Sequence, residues 1–432
     1  MIELPPLHDA LDAVVRVPGS KSLTQRALIA AALAEGESTL FGPLASEDTH
    51  YTITALRQMG IQVDDSNPSA WTVQGCAGWI QTPEQDIFLG NNGTATRFLT
   101  SVAALGHGRF WITGGERMMQ RPIEPLMAAL QGWKVQISSV EGTGCPPLLI
   151  EADGLYGGET VLPEGKSSQY LSSLLLVAPY ADRPAELIVK GEVLSRPYVE
   201  MTLAVMADFG IRVETARSLV RFRIPKGKYQ GIRYEVEGDA SGASYFWAAA
   251  AVTGGRVTVA NVPPCSLQGD TGLVPLLARM GCEVSMEQNG IRVQGPECLQ
   301  GIEADMGDMP DVAPTLAVVA AFAQGTTVIN NIAHLRIKEC DRLAVMVSEL
   351  RKLGVEVEEE PGRMRIHGQG GKGLHGAKIA THEDHRIAMC FAVAGLKVAG
   401  VQISGEACVS KSFPDFWERW QAMRGQLQTA CV

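Results

Sequence analysis

The sequence predicts an α/β fold of six related modules in two domains of three, with helices enclosed by short sheets, and three observations carry that prediction. A polar start opens a small-residue-rich apolar run at residues 19, 90, 165, 238, 310 and 383. These runs read GSKSLTQRALIAAAL, GNNGTATRFLTSVAAL, GKSSQYLSSLLLVA, GDASGASYFWAAAAV, PDVAPTLAVVAAF and EDHRIAMCFAVAG. Their spacings of 71, 75, 73, 72 and 73 residues mark an internal repeat. A second signature follows in phase: LRQMGIQV, LQGWKVQI, MADFGIRV, LARMGCEV and LRKLGVEV predict helices ending at Gly60, Gly132, Gly210, Gly281 and Gly354, each with a strand beyond.

In chain order, each module places the apolar helix first, the glycine-ended helix later, and short strands of alternating pattern around it, such as WTVQG, VRFRI and GIRVQG. The sixth module lacks the glycine-ended helix because the chain runs out. APTLAVVAAFA at 313–323 has almost no polar face, so it is expected to lie inside sheets rather than against water. Three such helices per domain would bring their polar starts out on one face, where unpaired N–H groups and helix dipoles favour anions. With 432 residues, 46% of them apolar, the chain suits two cores better than one. Gly-rich passages at 18–22 and 226–242 are the expected crossings. The segment KGKYQGIRYEVEGDA leads back toward modules that would otherwise lack the opening residues. The expected division is therefore a discontinuous domain of 1–18 plus 238–432 and an inserted domain of 19–237, with a plain N-to-C division near 237 as the alternative.

A net charge of -10 argues against tracking a nucleic-acid backbone. MIELPPLHDALDAVV has acids where a signal peptide carries a basic head, and no apolar run approaches the ~20 residues of a bilayer span. A cytoplasmic protein is expected, with neither membrane nor nucleic-acid partner, and a monomer. Nine cysteines at 76, 145, 265, 282, 298, 340, 390, 408 and 431 show no CxxC pair and read as reduced, packed thiols.

The first module offers Gly19, Ser20, Lys21 and Ser22 with Arg26 a turn later, an anion site in prospect without P-loop spacing. Asn91, Gly93 and Thr94 open the second module; Ser167, Ser168 and Gln169 open the third. Their hydroxyls, amides and N–H groups suit phosphate and sugar-like hydroxyls, yet neutral donors do not neutralise a dianion. Arg97 either does so or stays local. Arg121, in GERMMQRPI, is placed to point from a loop, and Arg196 shares such a setting with Ser195 and Tyr198, where a structural salt bridge is the simpler reading. In the second half, His334, Arg336, Lys338, Glu339, Asp341 and Arg342 concentrate charge. That cluster reads either as a solvated helix start or, joined to Asp311, Arg386 and Lys411, as a site with anion-binding cations and two proton-transfer acids. His382, Glu383, Asp384 and His385 lack the firm spacing of a metal site, so neither metal nor cofactor is expected.

These passages, together with GGERMMQRPI, SRPYVEMTL, RIKECDRLAVM and VSKSFPDFWE, resemble the enolpyruvyl transferases in order from residue 17 to 418. The resemblance implies a two-domain inside-out α/β barrel of six βαβαββ units closing over substrates in the cleft between domains. It implies enolpyruvyl transfer from phosphoenolpyruvate to the 5-hydroxyl of shikimate 3-phosphate by addition and elimination, releasing phosphate. Lys21, Ser22, Arg26, Ser167, Ser168, Gln169, Ser195, Tyr198, Asp311, His334 and Lys338 would then hold shikimate 3-phosphate. Phosphoenolpyruvate would meet Lys21, Asn91, Gly93, Thr94, Arg121, Gln169, Arg342, Arg386 and Lys411. Asp311 would be the base and Glu339 the acid, with Lys21 sharing proton transfers. Glyphosate is the inhibitor expected in the phosphoenolpyruvate site. The family branch acting on UDP-N-acetylglucosamine usually carries a reactive Cys where this chain reads GGERMMQRP, and a non-enzymatic scaffold would need neither Asp311 nor Glu339. Three positions depart from the family pattern: His334 replaces Asn in N-x-R-x-K-E, Phe98 replaces Pro, and Cys340 replaces Thr.

Overall fold

The computed structural model describes residues 1–163, 167–288 and 290–426, so the expected third module start at Gly165, with Lys166, lies outside the described residues, as does Cys431. Contacts divide the chain into two compact units, Gly19–Val236 and Met1–Pro18 with Glu237–Val432. Lys21 already opens a helix, so only the first part of the glycine-rich passage at 18–22 serves as a connection.

The inserted unit contains helices α1 (Lys21–Leu33), α2 (Glu47–Gln58), α3 (Gly93–Ala103), α4 (Glu124–Gly132), α5 (Ser168–Val177) and α6 (Arg196–Asp208). The discontinuous unit contains α7 (Ala240–Thr253), α8 (Leu273–Arg279), α9 (Ala313–Ala321), α10 (Arg342–Lys352), α11 (His385–Ala394) and α12 (Phe416–Arg424). The odd-numbered helices α1 to α11 are the six apolar runs. They are buried on nearly all sides, and α9 and α11 have no exposed residue. With no face to offer water, such helices are stable only when enclosed. Three small sheets per unit provide the enclosure.

Sheet order explains why one unit is discontinuous. In the inserted unit, strand Arg233–Glu235, from its far end, runs parallel to Glu37–Phe41 and supplies the opening strand of the first module. In the other unit Asp12–Val15 runs parallel to Arg256–Val259, with Asp12 opposite Arg256, and opens the fourth module in the same way. Ile2–Leu4 lies antiparallel to Val401–Ser404 and provides the strand that the truncated sixth module lacks. Each unit therefore closes its ring with a strand from the opposite end of its own chain path.

Four of the five predicted glycine caps have left-handed backbone: Gly60, Gly210, Gly281 and Gly354 have φ of 85°, 96°, 107° and 88°. Gly132 differs. It is the last residue of α4, and the left-handed position two residues later belongs to Lys134, φ 67°. Alignment by glycine alone misplaces the register, because Gly132 serves packing: a Cβ there would sit 2.0 Å from Thr160 Oγ1. Lys134 bears its strained backbone with its ammonium 4.2 Å from the Tyr156 ring centroid. Gly132→Ala is expected to destabilise the protein by about 1–3 kcal/mol through overpacking, whereas Lys134→Gly should stabilise it by about 1 kcal/mol by relieving the backbone. Urea unfolding of both variants measures the two signs.

Candidate active site

The inner helices of the inserted unit begin with neutral caps. Ser20 accepts from Leu23 N–H at 3.4 Å, Asn92 from Ala95 N–H at 2.9 Å, and Ser167 from Gln169 N–H at 3.3 Å. Neutral caps satisfy one donor each and leave the positive ends of the helix dipoles uncancelled. The starts are tied together: Gln169 Nε2 donates to Thr94 Oγ1 at 3.0 Å, and Asn92 Nδ2 to the Asp48 carbonyl at 2.6 Å. Lys21 Nζ lies 3.1 Å from buried Asp48 Oδ2, a partner the sequence reading missed because it sits in a different helix start.

The two arginines of this face have different settings. Arg26 is buried and donates to Thr202 Oγ1 (2.8 Å), Ser172 Oγ (3.3 Å) and the carbonyls of Ser22 and Tyr198. Burial lowers its pKa to about 10 despite those acceptors. Arg121, also buried, donates Nη1 to the Asn91 carbonyl and Oδ1 at 3.2 and 3.1 Å. Gly93 makes room for it, since a Cβ there would lie 2.5 Å from Arg121 Nη2 and 2.7 Å from Arg97 Nη1. Arg97 stays local, donating to the Gly93 and Pro122 carbonyls. Phe98 is wholly buried with the Arg26 guanidinium 5.4 Å from its centroid, so it packs into the core behind the helix start. Ser195, with φ 52°, caps α6 without a side-chain cap bond, and Arg196 donates to the Arg217 carbonyl.

In the discontinuous unit the corresponding starts are acidic. Asp239 caps α7, Asp384 caps α11, and Asp311 occupies the 3-10 turn Pro310–Val312 before α9. Arg342, 1% exposed, links two of these acids to Glu339: Nε meets Asp384 Oδ2 at 2.6 Å, Nη1 meets Asp311 Oδ1 at 3.1 Å, and Nη2 meets Glu339 Oε2 at 2.7 Å. Arg386 Nη2 lies 2.6 Å from Asp311 Oδ2, and Lys338 Nζ 3.8 Å from Oδ1. Burial opposes ionisation of Asp311, but Arg386, Lys338 and Arg342 outweigh it and hold the carboxyl well below the usual carboxylate range. Burial would discharge Arg342, yet Asp384, Glu339 and Asp311 keep it firmly protonated.

The cluster at 334–342 is thus divided between two roles. Arg336 forms peripheral pairs with Asp341 and Glu359 at 3.0 and 2.7 Å, while Lys338, Glu339 and Arg342 face Asp311. Buried Lys411 ends the turn Glu406–Lys411. Cys340 Sγ lies 3.5 Å from Asp384 Oδ2, and burial pushes its thiol far up, which makes it a poor nucleophile. Asp384 serves as helix cap and Arg342 partner. Among the described residues no group of acids, histidines and cysteines could hold a metal, and no helix is long and apolar enough to cross a membrane. The sequence reading also passed over Asp270, buried against Ser241.

Residues 7–420 match the family model described as EPSP synthase (3-phosphoshikimate 1-carboxyvinyltransferase). The chain is 43% identical over 428 residues to 3-phosphoshikimate 1-carboxyvinyltransferase of Trichormus variabilis, covering 98% of this chain and 99% of the relative. It is 45% identical over 415 residues to that of Syntrophobacter fumaroxidans, covering 96% and 97%. A solved EPSP synthase from Acinetobacter baumannii superposes with a TM-score of 0.82 at 29% identity over 97% of both chains.

His334 yields a prediction from this geometry. Its Nε2 is buried with no hydrogen-bond partner among the described residues. Burial, followed by Lys338, pushes its pKa down to about 4, while Asp311 pulls the other way. The folded protein therefore refuses a proton that the unfolded chain accepts, so stability is lost as pH falls from about 6.5 toward 4. Denaturant unfolding at about pH 7 and pH 4.5 should show a fall roughly 1–3 kcal/mol larger for wild type than for His334→Asn.

Proposed function

The chain belongs to the EPSP synthase family and transfers the enolpyruvyl group of phosphoenolpyruvate to shikimate 3-phosphate in the shikimate pathway, and we propose that Asp311, Glu339 and Lys21 carry the proton transfers. The observation supporting this assignment is Asp311, a partly buried carboxylate held by Arg386, Arg342 and Lys338, with Glu339 on the same Arg342. Residues of both units enter the proposal. The neutral helix starts with Lys21, Ser22, Arg26, Ser167, Ser168, Gln169, Ser195 and Tyr198 suit the phosphate and hydroxyls of shikimate 3-phosphate. Asp311, His334 and Lys338 complete that substrate's set. Arg121 with Asn91, Gly93 and Thr94, and Arg342, Arg386 and Lys411 with Lys21 and Gln169, suit the carboxylate and phosphate of phosphoenolpyruvate.

Asp311 takes the proton of the 5-hydroxyl as its oxygen bonds to C2 of phosphoenolpyruvate. C3 gains a proton from Glu339, giving a tetrahedral adduct. The Glu339 carboxylate then takes back a C3 proton as the C2–O bond to phosphate breaks, Lys21 protonates the departing phosphate, and the double bond is restored in the product, Asp311 and Lys21 exchanging their protons with solvent. In the free protein Asp311 is too strongly stabilised as an anion to be a good base. Anionic substrates that draw Arg386, Arg342 and Lys338 toward themselves loosen that hold and raise its basicity, so base strength appears when the substrates are present. No cofactor is needed for this sequence of steps.

Phosphate release with both purified substrates tests the assignment. Turnover should require shikimate 3-phosphate, and Asp311→Asn should lower kcat by about 10²–10⁴-fold; turnover with UDP-N-acetylglucosamine instead would sink the reading.

Glyphosate is proposed to compete with phosphoenolpyruvate. A methyl at residue 93 meets Arg121 and Arg97 first, so Gly93→Ala should act by displacing the Arg121 guanidinium from Asn91. An inhibition series should show the KM for phosphoenolpyruvate and the glyphosate inhibition constant both rising, by about tenfold or more. Phe98 packs into the core, which supports a glyphosate-sensitive wild type; Phe98→Pro should leave its inhibition strong.

A further inference from the structure

A carboxyl group with no part in the mechanism lies behind Asp311. Asp270, 3% exposed, belongs to the turn Gly269–Gly272 and accepts a hydrogen bond from Ser241 Oγ at the start of α7. That turn packs on the one carrying Asp311: a Cβ at Gly272 would lie 2.9 Å from Met309 Sδ. Asp311 in turn holds Arg386 at 2.6 Å. The groups around Asp270 include Asp239, the cap of α7, Ser241 within it, Asp311 from the neighbouring turn, and Arg386 from α11. Buried Tyr245 of α7 feels Arg386 as well.

Charge balance gives this placement a consequence. Asp311, Glu339 and Asp384 already pair with Lys338, Arg342 and Arg386, so a charged Asp270 would add a fourth acid to three acids matched by three cations. An additional negative charge beside Asp311 would hold Arg386 in the acidic cluster and oppose the arrival of another anion.

We propose that Asp270 is a positioning residue, which bears a proton while phosphoenolpyruvate binds and, through Asp311, leaves Arg386 available to the substrate. This inference rests on the proposed function. Burial first, then Asp311, pushes the Asp270 pKa up to about 7, while Arg386 and the Ser241 hydrogen bond pull it down. Its ionisation therefore falls where the enzyme is assayed, and binding of the anionic substrate should draw a proton onto it by linkage.

Steady-state kinetics between about pH 6 and pH 8 on wild type, Asp270→Asn and Ser241→Ala test this. In wild type the KM for phosphoenolpyruvate should rise by up to about tenfold over that range, with a smaller change in kcat. Asp270→Asn should lack that rise. Ser241→Ala loses a donor that favours the ionised carboxylate, so it should move the rise to higher pH. Calorimetry of phosphoenolpyruvate binding to the shikimate 3-phosphate complex, in buffers of different ionisation enthalpy, should show greater proton uptake by wild type than by Asp270→Asn. The same KM rise in both proteins, or equal proton uptake, overturns the proposal. Absence of turnover at every pH would count against the proposed function instead. Unfolding then still reads Asp270: its raised pKa costs wild type stability between about pH 4 and pH 7. Asp270→Asn should gain on wild type across that interval, and a constant difference would overturn the raised ionisation.

Discussion

Enclosure of helices that lack a polar face is the constraint on which the rest of this structure depends. Residues 313–321 and 385–394 are buried without exception, and 240–252 are buried throughout α7. Such a helix loses its hydrophobic stabilisation on any side left open to water. Sheets therefore surround the helices in each unit, the reverse of an α/β barrel with strands inside. The backbone polar groups of a buried helix are satisfied along its length but not in its first turn. Where such starts meet, as those of α3 and α5 do through Gln169 and Thr94, that end of the unit becomes polar without any further design.

The two units resolve this shared feature with opposite chemistry. Ser20, Asn92 and Ser167 cap without charge, so the dipole ends remain available to anionic groups, while Lys21 is held by Asp48 at 3.1 Å. Asp239 and Asp384 cancel their dipoles, and Asp384 and Asp311 create a demand for cations that Arg342, Arg386 and Lys338 meet. Arg342 is central because one buried guanidinium reaches three carboxylates. Its planar fork suits such a junction, whereas a lysine would offer a single point of charge. The same pairing that settles the cluster holds Asp311 as an anion, which is what its proposed role as a base has to overcome.

Departures from the family pattern illustrate how much a side chain's meaning depends on its surroundings. Cys340 stands beside Glu339 in sequence, yet its thiol faces Asp384 and is held protonated. Phe98 follows Arg97 in sequence but packs beneath Arg26. His334 keeps an acceptor nitrogen beside its N–H donor, as an amide keeps both functions, because burial and neighbouring cations hold its ring neutral.

The sequence by itself determined the α/β class, the six-fold repeat, the burial of the apolar helices and the family, because these rest on periodicity and on motifs that are local in the chain. It also picked out Asp311, Glu339, Lys338, Arg342 and Arg386 as charged residues at or near helix starts. Only the tertiary structure decided their pairing. Asp48 beside Lys21, Asp384 beside Arg342 and Asp270 behind Asp311 are separated from their partners by 27, 42 and 41 positions, and no local pattern encodes such contacts. The register at Gly132 was likewise hidden, since a glycine kept for packing against Thr160 looks the same in sequence as one kept for a left-handed cap. Local composition selects which elements form, whereas charge state and contact distance arise from the enclosure that brings distant segments together.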